Sequence, residues 1–372
     1  MIPGPPAPLL DLALRLGLGP VIFDSPRNRE LLTTLGIPPE TARQVSRRLR
    51  RRSLWRTAWE EAATPHAAHA EEAARRGDRV EAIAAARRAL AMFGLGYGGD
   101  NYYFYTPIPD RREAFGPRRR LYGLIRELTG DAVEELSFSH LHGETRALLH
   151  LPARAAGRVP ALVCVHPMGG DKENFDFVLA LFREAGYATL CFDLPAHGDG
   201  CDGPRLQPDD ELVVLRAREV LAARPQIDPG RIGVLGASLG GFFALRAAAL
   251  STDFKVCVVY ASGFDIGRGL PEAVRGIQEQ FAWSIGAPNL KAAFEMARPY
   301  HLRDAVGKIR CPVLMVHGTQ DHICDFTVPY QIARRITAPL TIHPILGADH
   351  EVAIPATPSL ADPGIDWLRS NL

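Results

Sequence analysis

Ser238 stands at the centre of Gly236-Ala237-Ser238-Leu239-Gly240, a G-x-S-x-G spacing with Gly241 directly after it. A serine hydroxyl is a poor nucleophile at neutral pH and attacks a carbonyl only when a neighbouring base takes its proton. Two downstream residues could complete that chemistry: Asp321, closing PVLMVHGTQD, and His350, closing LTIHPILGADH. His350 would accept the Ser238 proton and later return it to the leaving group. Asp321 would fix the imidazole tautomer and stabilise the imidazolium. Asp325, four residues beyond Asp321, remains an alternative acid. His317 and His343 lie inside apolar runs and read as structural, while His322 reads as a residue lining a substrate pocket.

Acyl chemistry also needs donors for a developing oxyanion. The backbone N–H of Leu239, next to the nucleophile, is one. The other is expected from His166-Pro167-Met168-Gly169-Gly170, with the Met168 N–H first choice and Gly169 second. Losing one such donor typically removes ~3 to 4 kcal/mol of transition-state stabilisation. Pro167 stands where a glycine is usual in such turns.

These residues need elements to hold them. RIGVL before Ser238 reads as a buried strand and FFALRAAAL after it as a helix, so the serine falls on a strained strand-to-helix turn. Further strands are expected at EELSFSH, ETRALLHLP, PALVCVHPM, YATLCFDLP, FKVCVVYASG, PVLMVHGTQD and LTIHPILGAD, with helical segments between. Continuous apolar runs suit a parallel sheet covered on both faces, and the first two, shorter and alternating, suit an antiparallel edge hairpin. The fold class is therefore α/β: a mostly parallel eight-stranded sheet with helices on both faces, occupying 133–372. Helical periodicity runs from about residue 27 to 130, broken at Pro65 and at Gly77-Asp78, and predicts a helical cap domain over 1–132. A helical insertion at about 266–306 predicts a lid, whose Phe281 and Trp283, with Phe294 and Met296, would form core or substrate wall. Asp265 would face the pocket.

Composition excludes several classes. With 43 basic and 42 acidic side chains the net charge is +1, which argues against a dedicated polyanion binder. The arginine run from Arg43 to Arg56 reads as a solvated helix whose buried face carries Trp55 and Trp59, and nucleic acid is not an expected partner. No segment approaches the roughly 18 to 20 apolar residues of a membrane span, and the first twenty residues lack a signal-peptide pattern. Six cysteines without a C-x-x-C pair fit a reducing, cytoplasmic setting, and no metal-ligand spacing is present. A small-molecule substrate and no cofactor are expected.

GASLGG, HPMGGDKENF, DLPAHGDG, HGTQDHICDFTVP and GADHE, in this order, resemble the α/β-hydrolase superfamily. DLPAHGDG is similar to its D-x-x-G-x-G turn, with His197 structural. The helical preamble, including AEEAARRGDRVEAIAAARRALAMF, resembles the branch of 2,6-dihydroxypseudooxynicotine hydrolase, the fungal polyketide-shortening hydrolase and the fermentation-respiration switch protein. That resemblance implies a metal-free Ser-His-Asp enzyme cleaving an ester or a carbon–carbon bond beside a ketone. It also implies a homodimer with the site between cap and core. An acyltransferase using the same residues and a non-catalytic interaction module remain as other classes.

Overall fold

Short, fully buried runs rich in valine, leucine and cysteine form the middle of one sheet. In the computed structural model, which describes residues 7–23, 29, 32–33, 35–96, 111–153, 157–353 and 357–372, eight strands pair in the order β1-β2-β4-β3-β5-β6-β7-β8. They are β1 Val133–His140, β2 Gly143–His150, β3 Val159–Val165, β4 Ala188–Phe192, β5 Ile227–Ala237, β6 Cys257–Tyr260, β7 Val313–Gly318 and β8 Leu340–Ile345. β1 pairs antiparallel with β2 and β2 antiparallel with β4, whereas every pair from β4 to β8 is parallel. All eight expected strands are present, and every expected run except RIGVL, inside β5, and EELSFSH, which ends with β1 at His140, extends into the loop that follows it.

Both faces of the sheet are covered. Leu162 and Cys164 of β3 share a core with Leu179 and Phe182 of the helix Lys172–Glu184 and Leu368 of the helix Pro358–Asn371. The alternate β3 residues Ala161, Val163 and Val165 are buried as completely, because the helices Glu211–Ala222 and Leu239–Leu250 pack on β5 and on each other. Each fully buried Leu, Val or Phe here contributes roughly 1.5–3 kcal/mol. β8 is the edge, and its polar alternation (LTIHPI) leaves His343 exposed.

The chain divides into two compact units, one of Met1–Asp131 with Glu272–Trp283, the other of Ala132–Pro271 with Ser284–Leu372. The expected lid segment is therefore shared out: Glu272–Trp283, with Phe281 and Trp283, groups with the N-terminal helices, where Glu279 ion-pairs with Arg52 (3.6 Å). Two local expectations change in this unit. Pro65 lies inside a continuous helix, Trp55–Arg75, because alanine-rich turns on either side outweigh the single N–H that proline lacks. The arginine run is not one helix. One helix ends at Arg48, a 3₁₀ turn spans Arg52–Leu54, and Trp55 opens the next, its indole N–H donating to Leu95 O (2.7 Å). Gly77, at φ +77°, ends that helix, and Asp78 accepts the Glu81 N–H to start the following one, Arg79–Gly96. The aromatic stretch NYYFYTPIP lies outside the described residues.

Candidate active site

Three glycines let β5 turn sharply into the helix Leu239–Leu250. A Cβ on Gly236 would lie 2.3 Å from Gly240 O, one on Gly240 would lie 2.1 Å from Val165 O, and one on Gly241 would lie 2.8 Å from Val259 Cγ1. Ser238 in this turn adopts φ 51°, ψ −116°, a conformation that non-glycine residues rarely hold. Its N–H donates to Tyr260 O (2.8 Å), which ties the strained residue to the end of β6. An ordinary glycine-rich turn would not need a serine at positive φ.

His350 Nε2 lies 3.1 Å from Ser238 Oγ, and His350 Nδ1 lies 2.8 Å from Asp321 Oδ2. A neutral imidazole carrying its proton on Nδ1 satisfies both contacts, donating to the carboxylate and accepting from the hydroxyl. The second carboxylate oxygen of Asp321 accepts the N–H groups of Ile323 (2.9 Å) and Cys324 (2.8 Å). Burial pushes the Asp321 carboxyl up, but the charge and hydrogen bond of His350, the Cys324 N–H and His317 outweigh it. The net effect holds its pKa below the usual value.

The neighbouring candidates have other occupations. Asp325 is exposed and accepts the Thr327 N–H (2.7 Å). His317, fully buried, meets Cys324 O at 2.6 Å and lies 3.5 Å from Asp321 Oδ2, and burial lowers its pKa. The ring Nδ1 of His322, half-buried, donates to Asp349. Asp265 caps the short helix Ile266–Gly269 by accepting the Arg268 N–H (3.0 Å) and ion-pairs with Arg303 (3.0 Å), so both of its oxygens are engaged. Phe281 is buried and Trp283 half-buried, in the unit that does not contain Ser238.

Val165, the last residue of β3, pairs with Gly236, so the turn 166–170 begins beside the serine turn. Gly170 donates its N–H to Pro167 O (3.0 Å) with Gly169 at φ +76°, leaving the Met168 and Gly169 amides outside that turn's hydrogen bond. Both ends of the turn are fastened to the residues following β4. At its start, His166 Nε2 accepts the Leu194 N–H (3.1 Å) while Nδ1 donates to Pro167 O (2.8 Å). At its end, Asp193 Oδ1 accepts the Lys172 N–H (2.8 Å).

Sequence reasoning missed this fastening. The Lys172 ammonium meets Asp193 (2.9 Å), Asp199 (2.8 Å) and Glu173 (2.9 Å) in a nearly dry cluster. The available signal was composition: Lys172 is one of only four lysines in an arginine-rich chain. A compact ammonium with rotatable donors suits three separate carboxylates better than a planar guanidinium. His197 packs its ring on His166 (5.3 Å), as a structural residue would, and Ala196 takes φ 62° where the D-x-x-G-x-G pattern has glycine. Cys324 was also overlooked. Its thiol is within hydrogen-bonding reach of Ser238, and burial raises its pKa well above an ordinary thiol.

A mostly parallel eight-stranded sheet with a serine elbow after β5 defines the α/β-hydrolase fold, residues 162–361 match the alpha/beta hydrolase family, and the chain belongs to it. Among curated relatives, it is 33% identical over 210 residues to hydrolyase poxO of Penicillium oxalicum, covering 52% of this chain and 49% of that protein. It is 27% identical over 168 residues to 2,6-dihydropseudooxynicotine hydrolase of Paenarthrobacter nicotinovorans, covering 45% and 46%. The match thus spans about half the length of these relatives. The crystal structure of 2,6-dihydroxy-pseudo-oxynicotine hydrolase superposes with a TM-score of 0.77 at 21% identity, covering 92% of this chain and 95% of that one, a likeness of fold.

Proposed function

We propose that this chain is a serine hydrolase in which Ser238 attacks a carbonyl and water resolves the acyl-enzyme. His350 takes the serine proton and passes it to the leaving group, and Asp321 keeps the imidazole in the Nδ1-protonated tautomer. The oxyanion is held by the Leu239 N–H together with that of Met168 or Gly169. The observation that carries this is the His350 ring lying within hydrogen-bonding distance of both Ser238 Oγ and Asp321 Oδ2. The substrate class is a medium-to-large, partly apolar ester or a polyketide-like diketone cleaved beside its ketone. The names of the poxO and pseudooxynicotine relatives support a hydrolytic role, and a homodimer is part of the same proposal.

A fluorophosphonate probe is expected to label the wild type and not Ser238→Ala. A folded wild type that fails to label overturns the mechanism. Turnover of a p-nitrophenyl ester panel measured against β-diketones separates ester from carbon–carbon cleavage, and an added alcohol or amine acceptor exposes any acyl transfer by its product.

A further inference from the structure

The loops after β7 and β8 are joined by two His–Asp pairs that cross. Asp321, on the first loop, holds the ring of His350 on the second. Asp349, immediately before His350, holds the ring of His322, immediately after Asp321. One oxygen of Asp349 accepts from the His322 ring Nδ1, from the His322 N–H (3.1 Å) and from the His350 N–H (2.7 Å). The same carboxylate therefore touches the residue beside the triad acid and the backbone of the triad base.

The strands cannot supply this fixation themselves. β7–β8 pairing ends at Gly318 and Ile345, short of all four side chains. Beyond that point Thr319 N–H donates to Ile345 O (3.1 Å), Gln320 N–H to Ala348 O (2.9 Å) and Gly347 N–H to Thr319 Oγ1 (2.9 Å). Gly318 permits the approach, since a Cβ there would lie 2.4 Å from Asp349 O. Asp349 is the last link in this series before the base.

We infer that Asp349 and His322 form a positioning pair that locks the His350 loop to the Asp321 loop and so sets the His350–Ser238 distance. The pair depends on Ser238, His350 and Asp321 being the reacting centre, and it acts through His350 without touching substrate. A displacement of about 1 Å at a base can lower turnover about 100-fold.

The test compares Asp349→Ala, Asp349→Asn and His322→Ala in the full chain, using a p-nitrophenyl ester that the wild type hydrolyses and the rate of fluorophosphonate labelling at Ser238. Thermal melts report folding. Asp349→Ala is expected to lower kcat about 10- to 100-fold with KM within about twofold, and labelling should slow in parallel. Asn should restore most of the loss, because its amide oxygen still accepts the His350 N–H. A folded Asp349→Ala with wild-type kcat, or with a loss confined to KM, overturns the inference. Should that variant not fold, His322→Ala decides, since it removes the ring from the cross-loop link and keeps the His322 and His350 backbone N–H bonds to Asp349; an unchanged kcat there overturns it equally. Wild-type protein that neither labels nor turns over sinks the serine mechanism first, an outcome distinct from active wild type with indifferent Asp349 variants.

Discussion

Asp321 and Asp325 are chemically identical and four residues apart, yet only one can serve His350. Asp321 gives one oxygen to the imidazole and the other to two backbone N–H groups, whereas Asp325 closes a local turn with Thr327. Asp321→Asn is expected to lower kcat by ~10⁴ through the wrong imidazole tautomer, while Asp325→Asn stays close to wild type, as ester turnover would record. Because its folded pKa is depressed, Asp321 also contributes stability that is present at neutral pH and lost as pH falls through that lowered value. The adjacent Cys324 thiol, its pKa raised by burial, leaves no thiolate to compete with the Ser238 hydroxyl at neutral pH.

Among the elements, the turn 166–170 depends on the residues following β4 for its shape. Asp193 binds both the backbone and the ammonium of Lys172, and Gly198 must lack a side chain, since a Cβ there would lie 2.2 Å from the Asp193 carboxylate. Burial would lower the Lys172 pKa, but Asp193 and Glu173 raise it beyond that of a free lysine, so the ammonium is fully charged. Lys172→Met leaves three carboxylates facing one another and is expected to destabilise the fold by about 3–5 kcal/mol, read as a lower denaturant midpoint. Labelling of Ser238 should weaken alongside, because the candidate oxyanion donors leave this turn.

Across the whole molecule, proton binding couples these sites to stability. Burial, reinforced by Asp193 and Asp171 and opposed by Lys172, pushes the Glu173 carboxyl up to about 7. Burial also lifts Asp210 to about 7 against the Gln207 N–H. For both, the folded state binds protons more tightly than the unfolded chain, so their stabilising effect is full only below the ordinary carboxyl pKa of about 4 and is lost progressively as pH rises to about 7. The buried His166 and His317, their pKa values lowered by burial, act in the opposite sense. Calorimetry is therefore expected to isolate the carboxyl by difference: Glu173→Gln should lose less Tm between pH 5.5 and pH 8 than wild type, and an equal change in the variant contradicts it. Among the described residues no helix is long and apolar enough to cross a membrane.

Periodicity and turn chemistry are local properties, so the sequence alone determined the eight strands and the glycine-framed serine elbow. Pro65 misled for the converse reason: a strong local breaker was overruled by the helix around it. Pairing between distant side chains belongs to the tertiary structure. Ser238 and His350 are 112 residues apart in the chain, and they meet because β5, β6, β7 and β8 lie side by side and release their loops at one edge. The choice of Asp321 over Asp325, the fastening of the 166–170 turn by Lys172 and the crossing of Asp349 with His322 follow from that juxtaposition. Hydrogen-bond geometry at 3 Å is fixed by strand order and loop packing, which no linear pattern records.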